Sequence, residues 1–194
     1  MSAYTYQRAF AIFIDVLIVT FVSVILTIWI PESQKYKNSY KEELDTIEEF
    51  VNGEIKEKEL EDRTYELTYI MNKETVIESL VKIVITIAYF GTYAYYSNGQ
   101  TLGKKIMKIK VVSFDNKEVS HFSMLSRSLL INGVLLSIIE VALLFLPKDK
   151  YFLIISPFEY VMMLFMIISI FMVIFRNDKR GLHDFVCKTK VVRC

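Results

Sequence analysis

The sequence predicts an all-α membrane protein with four transmembrane helices, an extracytoplasmic helical insert and a small cytoplasmic β-hairpin element. Three observations predict it. Of 194 residues, 53% are hydrophobic and 14% aromatic, and the mean hydropathy of +0.35 is high for a soluble domain of this length. Four stretches, about 9–30, 75–96, 124–146 and 151–175, reach the roughly 20 apolar residues needed to cross a hydrocarbon core of about 30 Å. The net charge of +1 conceals a segregation of sign along the chain.

The first span follows Arg8, a position that suggests a secretory leader. Its apolar run is too long for one, and "TIWIPES" at its end offers no small-residue cleavage site, so a retained helix is expected. Residues 31–74 carry 13 Asp and Glu against 7 Lys and Arg. Leu44, Ile47, Phe50 and Val51 recur there at helical spacing before a stop at Asn52 and Gly53, and Leu60, Thr64, Leu67 and Met71 line a second face. This acidic insert reads as a helical hairpin over the membrane surface. The alternative is a partly disordered charged loop, since isolated helices under about 15 residues are marginal.

The second span opens with Glu78 and Lys82, spaced as an i, i+4 pair, and ends in aromatics. In the loop from 97 to 123, "KIKVV" alternates, "DNKE" contains turn formers and "VSHF" resumes an extended stretch, which predicts a hairpin holding His121. The tail's "KTKVV" nearly repeats "KIKVV" and offers a third strand. In the fourth span, Met162, Met163, Met166 and Met172 read as packing or lipid-facing residues. Lys104, Lys105, Lys108, Lys110 and Lys117 in the loop, with Arg176, Lys179, Arg180, Lys188, Lys190 and Arg193 in the tail, place both on the cytoplasmic side. Four spans then put both termini inside a multi-pass protein of the cell membrane, its whole length a single membrane domain.

"NGQTLGKKIMKIKVV" at 98–112 resembles a phosphate loop only superficially. Gly99 and Gly103 are one residue too close, Lys105 stands where a hydroxyl is required, and no strand precedes it. Lysines in this loop would also attract anionic headgroups, each contributing about 1 kcal/mol. Cys187 and Cys194 form neither a disulfide framework nor a zinc motif. His183 beside Asp184 falls short of the three or four ligands a metal needs. With no Ser/His/Asp or Cys/His grouping, no enzyme, cofactor, metal or nucleic-acid partner is expected.

Four ordered stretches carry a family resemblance: "YQRAFAIFIDVLIV" at 6–19, "GQTLGKKIMKIKVV" at 99–112, the single Arg127 opening the third span, and "KRGLHDFVCKTKVV" at 179–192. Together they resemble the RDD family of membrane proteins. Arg8 and Asp15 match that family's arginine and first aspartate, and Asp184 is assigned as the second. The 31–74 insert departs from shorter members, so its role is not implied. The resemblance brings a prior of sodium/proton exchange.

Asp15 lies inside the hydrocarbon region, where an ionised group costs about 2.5–3.5 kcal/mol and so should face a partner or water. Arg127 is its expected partner, and Asp184 would cover Arg8 or Arg127, giving a charge network of Arg8, Asp15, Arg127 and Asp184 at the cytoplasmic mouth. Such a network either fixes helix registry or, at Asp15, exchanges a proton for a cation. Glu140 and Glu159 fall at similar depths, about 9–12 Å below the outer surface, a second candidate cation or proton site near Pro157. The motif residues Gly99, Gln100, Thr101, Gly103 and Lys104 complete the candidate set. The function expected is transport of monovalent cations and protons in the lipid bilayer, by a homo-oligomer because four helices make a thin wall. The alternative is a non-transporting scaffold or sensor that recruits a protein partner.

Overall fold

A computed structural model describes residues 2–115 and 118–194. Three helices are long and apolar enough to cross a membrane: α1 (Thr5–Thr27), the compound helix Val76–Tyr96, and α9 (Lys148–Phe175). A fourth candidate is broken. α7 (His121–Ile131) and α8 (Val134–Leu143) meet at 69°, so the third predicted span is no single straight helix. The break falls at Asn132 and Gly133, where Gly133 takes φ 70, a left-handed conformation that costs glycine little and lets the chain turn without strain.

α1 is inside-out relative to a helix of a soluble protein. Its buried residues are Arg8, Ala11, Asp15, Val19 and Ser23, at spacings of three and four, whereas Phe10, Phe13, Leu17 and Phe21 are exposed. Small and polar groups therefore face the bundle, and the apolar face is left for lipid.

Residues 31–74 fold as two helices, α2 (Gln34–Val51) and α3 (Glu57–Glu74), which pack on each other. Ser33 caps α2 by accepting a hydrogen bond from the Tyr36 amide, and Gly53 takes φ 77 just past its end, so the stop at Asn52 and Gly53 lies where the sequence places it. Arg63 on α3 bridges to Glu49 on α2 and to Glu59 on its own helix.

The compound helix runs as α4 (Val76–Thr86), a π-helical stretch Ile87–Tyr93 and a last turn α5 (Ala94–Tyr96). π-helical insertions re-aim side chains and recur at functional sites. Here the insertion carries Tyr89, and Gly91 lets α7 approach so closely that an added Cβ would lie 2.6 Å from Leu125 Cδ2.

The β element differs from the predicted hairpin. β1 (Ile109–Ser113) pairs antiparallel with β2 (Thr189–Arg193) of the tail, in register from Ile109 opposite Arg193 to Ser113 opposite Thr189. The tail thus takes the place of the hairpin's second strand. "VSHF" forms no strand, because Ser120 caps α7 by accepting from the Ser123 amide and commits His121 onward to helix. The His121 ring packs near Tyr95, their centroids 4.9 Å apart. Asn116 and Lys117 of the predicted turn lie outside the described residues.

Each strand completes the same small unit. In the loop, Asn98 at φ 54 precedes the short helix α6 (Leu102–Ile106), Lys108 at φ 54 ends it, and β1 follows; in the tail the parts are Lys179 at φ 54, α10 (Leu182–Val186), Lys188 at φ 51 and β2. The near repeat in sequence is therefore a repeat in structure. Ile109, Val111, Thr189 and Val191 turn inward at alternate positions. The amide of Ala3 donates to Val191 O at 3.0 Å, so both termini meet at this sheet, at the Arg8 end of α1.

Candidate functional site

α10 places Asp184 in the centre of the terminal face, where its carboxylate is fully buried. Arg8 Nη1 donates to Oδ2 at 3.3 Å, and Arg127 Nη1 donates to Oδ1. Thr189 Oγ1 also donates to Oδ1, at 3.2 Å, and the Gly181 amide donates to Oδ2 at the same distance. One carboxylate thus joins α1, α7 and the tail. Burial opposes its ionisation, but the charges of Arg127 and Arg8 outweigh burial and hold it well below the usual carboxylate range. Arg180 Nε donates to Thr189 O at 3.1 Å, and its guanidinium stacks over Phe114 and Phe185.

Asp15 belongs to a second arrangement. Its Oδ1 accepts from Tyr89 Oη at 2.7 Å and from the Gly103 amide at 2.7 Å, while Oδ2 accepts from the Thr101 hydroxyl. Tyr89 Oη also accepts from the Leu102 amide at 3.1 Å. The expected partnership with Arg127 is therefore corrected: Arg127 pairs with Asp184, and Asp15 holds the α6 loop through neutral donors. The loop motif serves this contact. Gly99 takes φ 79 and its carbonyl accepts from Val111 N at 2.9 Å, Gln100 Nε2 donates to Ile109 O, and Gly103 leaves room for α1 to approach.

A cavity of about 640 Å³ lies beside both arrangements, between α1, α7 and α9. Ile12, Phe13, Ile131, Ile170 and Ile174 give it apolar walls, and Arg8, Asp15, Lys104, Arg127, Ser128 and His183 form a polar end. Lys104 sits half-buried; burial first, and then the charge of Arg127, pulls it down to about 8.

The remaining candidates lie elsewhere. Glu140 Oε1 accepts from Asn72 Nδ2 at 2.9 Å and Tyr151 Oη at 3.3 Å, while Glu159 is exposed with no hydrogen bond among the described residues. Glu140 shares no hydrogen-bond partner with Glu159 or with Asp15 among the described residues. Glu78 and Lys82 form no ion pair among the described residues, and Glu78 Oε2 is buried without a hydrogen-bond partner. Cys187 is buried and Cys194 exposed, both free. No group of three or more His, Cys, Asp or Glu side chains suited to a metal occurs among the described residues. Sequence reasoning missed Tyr89, Thr189 and Ser128, and counted Arg180 only among the tail's basic residues. Tyr89 is hidden in an aromatic run, while Thr189 could have been noticed as the residue that differs between "KIKVV" and "KTKVV".

His183 gives the terminal face a pH dependence. Its Nδ1 lies 2.5 Å from Ser169 Oγ, and burial, followed by the positive charge of Arg127, pulls it down to about 3. The unfolded chain, with an ordinary histidine near 6.5, then binds a proton that the folded chain refuses. Stability is fully present above about pH 6.5 and falls as the pH drops towards 3, by up to about 1.4 kcal/mol per pH unit. Thermal melts of His183→Gln between pH 7.5 and 4.5 should show a shallower decline than the parent; parallel curves would remove His183 as the cause.

A sequence profile described as RDD family matches residues 3–188. The "Uncharacterized protein YxaI" of Bacillus subtilis (strain 168) is 28% identical over 115 residues, covering 58% of this chain and 56% of that protein. The match thus spans little more than half the length of this relative. No solved structure matches the chain.

Proposed function

Because the chain belongs to the RDD family, we propose that it is a membrane-embedded binding protein of the carrier or receptor kind, whose working site is the cavity between α1, α7 and α9. The observation that carries this reading is the cavity itself. Its volume of about 640 Å³ falls within the roughly 300–1,000 Å³ of small-molecule sites, and apolar walls converge on a few polar groups, as binding sites require. The Asp184 cluster and the Asp15 contact anchor its polar end. The face bearing both termini is the cytoplasmic one in this reading, since the basic loop and tail gather there.

Cation/proton exchange through Asp15 is the second reading, and it is favoured by the place of Asp15 on the cavity lining. The geometry favours a holding role for this carboxylate. A cation at either oxygen would compete with Tyr89 and the Gly103 amide or with the Thr101 hydroxyl, and a proton would remove the charge that these donors stabilise. Liposomes holding the protein, given a pH gradient and then sodium, potassium or lithium, separate the two readings. The parent and folded Asp15→Asn are expected to dissipate the gradient no faster than empty liposomes. Cation-dependent dissipation by the parent that vanishes in Asp15→Asn would replace the binding reading with exchange.

A further inference from the structure

We propose that the cavity holds an anionic phospholipid of the surrounding bilayer, its phosphate at the polar end beside Lys104, Arg8 and Ser128 and one acyl chain along the apolar wall between α1 and α9. This inference rests on the binding reading above and names its ligand class.

The charges at the polar end do not balance. Arg8 and Arg127 share the single carboxylate of Asp184, and the donors that satisfy Asp15 are all neutral. Lys104 has no hydrogen-bond or ion-pair partner for its ammonium among the described residues. Three cations, Arg8, Lys104 and Arg127, and one carboxylate, Asp15, thus stand on the cavity lining, with the buried Asp184 behind the two arginines and His183 uncharged at neutral pH. Two more groups on that lining lack partners: Arg8 Nε and Ser128 Oγ are buried without a hydrogen bond. Arg8 is 8% exposed and Ser128 2%. Unpartnered buried polar groups are costly, so a cation, a guanidinium N–H and a hydroxyl left open on one cavity call for an anion with several acceptor oxygens. A phosphate supplies them.

The walls identify the rest of the ligand. Ile12, Phe13 and Ile170 line the cavity and are also largely exposed on the helices' outer faces, which α1 and α9 present to lipid. A ligand lodged there keeps contact with the hydrocarbon phase, so a second acyl chain can remain in the bilayer. Arg8 lies about one turn inside the start of α1, a depth suited to a headgroup. A water-soluble phosphate would match the polar end and leave the apolar walls unused.

The test is native mass spectrometry of the full chain, delipidated in neutral detergent and offered phosphatidylglycerol and phosphatidylcholine in equal amounts. Phosphatidylglycerol should be retained about tenfold or more over phosphatidylcholine. Lys104→Gln should reduce its retention about tenfold, Lys104→Arg should preserve it, and Ala9→Trp, which fills the cavity from α1, should abolish it. Thermal melts confirm that each variant is folded. Equal retention of both lipids, lost in Ala9→Trp, would overturn the headgroup assignment and leave the cavity as a binding site. Retention unchanged in folded Ala9→Trp would overturn the assignment and the binding reading together. Full displacement by millimolar inorganic phosphate would reassign the site to free phosphate and overturn the lipid.

Discussion

Asp184→Asn is expected to be the most damaging single change in the molecule, lowering stability by about 3–5 kcal/mol. The carboxylate is fully buried and carries two guanidinium groups, the Thr189 hydroxyl and the Gly181 amide. An asparagine keeps the volume and removes the charge, leaving Arg8 and Arg127 as like charges without their carboxylate. Arg8→Gln and Arg127→Gln should each cost less, about 1.5–3 kcal/mol, because the remaining arginine keeps its pair with Asp184 and loses a like-charged neighbour. The double variant Arg8→Gln with Asp184→Asn should be less destabilised than the sum of its parts, since only one guanidinium is orphaned. Thermal unfolding in detergent, followed by size-exclusion of the surviving monodisperse protein, checks the order. If the three single variants melt together, Asp184 is not the hub.

The sequence made these charges visible and left their pairing open. An aspartate inside an apolar run stands out because burying it is costly, and that argument marked Asp15, whereas Arg8, Arg127 and Asp184 were singled out by the resemblance of their stretches to the RDD family. Depth in the membrane could not choose between carboxylates. Asp15 and Asp184 both reach the same end of the bundle, one on α1 and the other on a tail that folds back, and only the fold shows that the tail fills the space beside Arg127.

The β element failed for a related reason. "KIKVV" and "KTKVV" alternate equally well, and the turn formers in "DNKE" favoured the local partner, whereas the cap at Ser120 starts a helix where the second strand was expected. Hydropathy also ran straight through Asn132 and Gly133, because an apolar average does not register a left-handed glycine. The α2–α3 hairpin was readable, since each helix has a face at period 3.6 and a stop with glycine past the first of them.

The second large effect is expected at Gly103. A Cβ added there would lie 2.3 Å from Ala11 O and 2.8 Å from Asp15 Oδ1, both on α1. A backbone carbonyl within a helix cannot swing aside, so Gly103→Ala must push α6 off α1 and lengthen the 2.7 Å bond from the Gly103 amide to Asp15. Thr101 would then leave its acceptor on Asp15, and the Leu102 amide would leave Tyr89 Oη. Overpacking and the loss of hydrogen bonds to a charged group together should cost about 2–5 kcal/mol. The α6 loop should also become a tryptic target at Lys104 and Lys105, which the parent protects by docking it. Gly133→Ala is the control. That glycine has φ 70 and nothing within 4 Å of an added Cβ, so its cost is limited to the backbone conformation, about 1 kcal/mol. A Gly103→Ala protein that melts with Gly133→Ala and resists trypsin like the parent would mean that Asp15 does not hold the loop. Early cleavage at the two lysines with a markedly lower melt would place that contact at the centre of the terminal face.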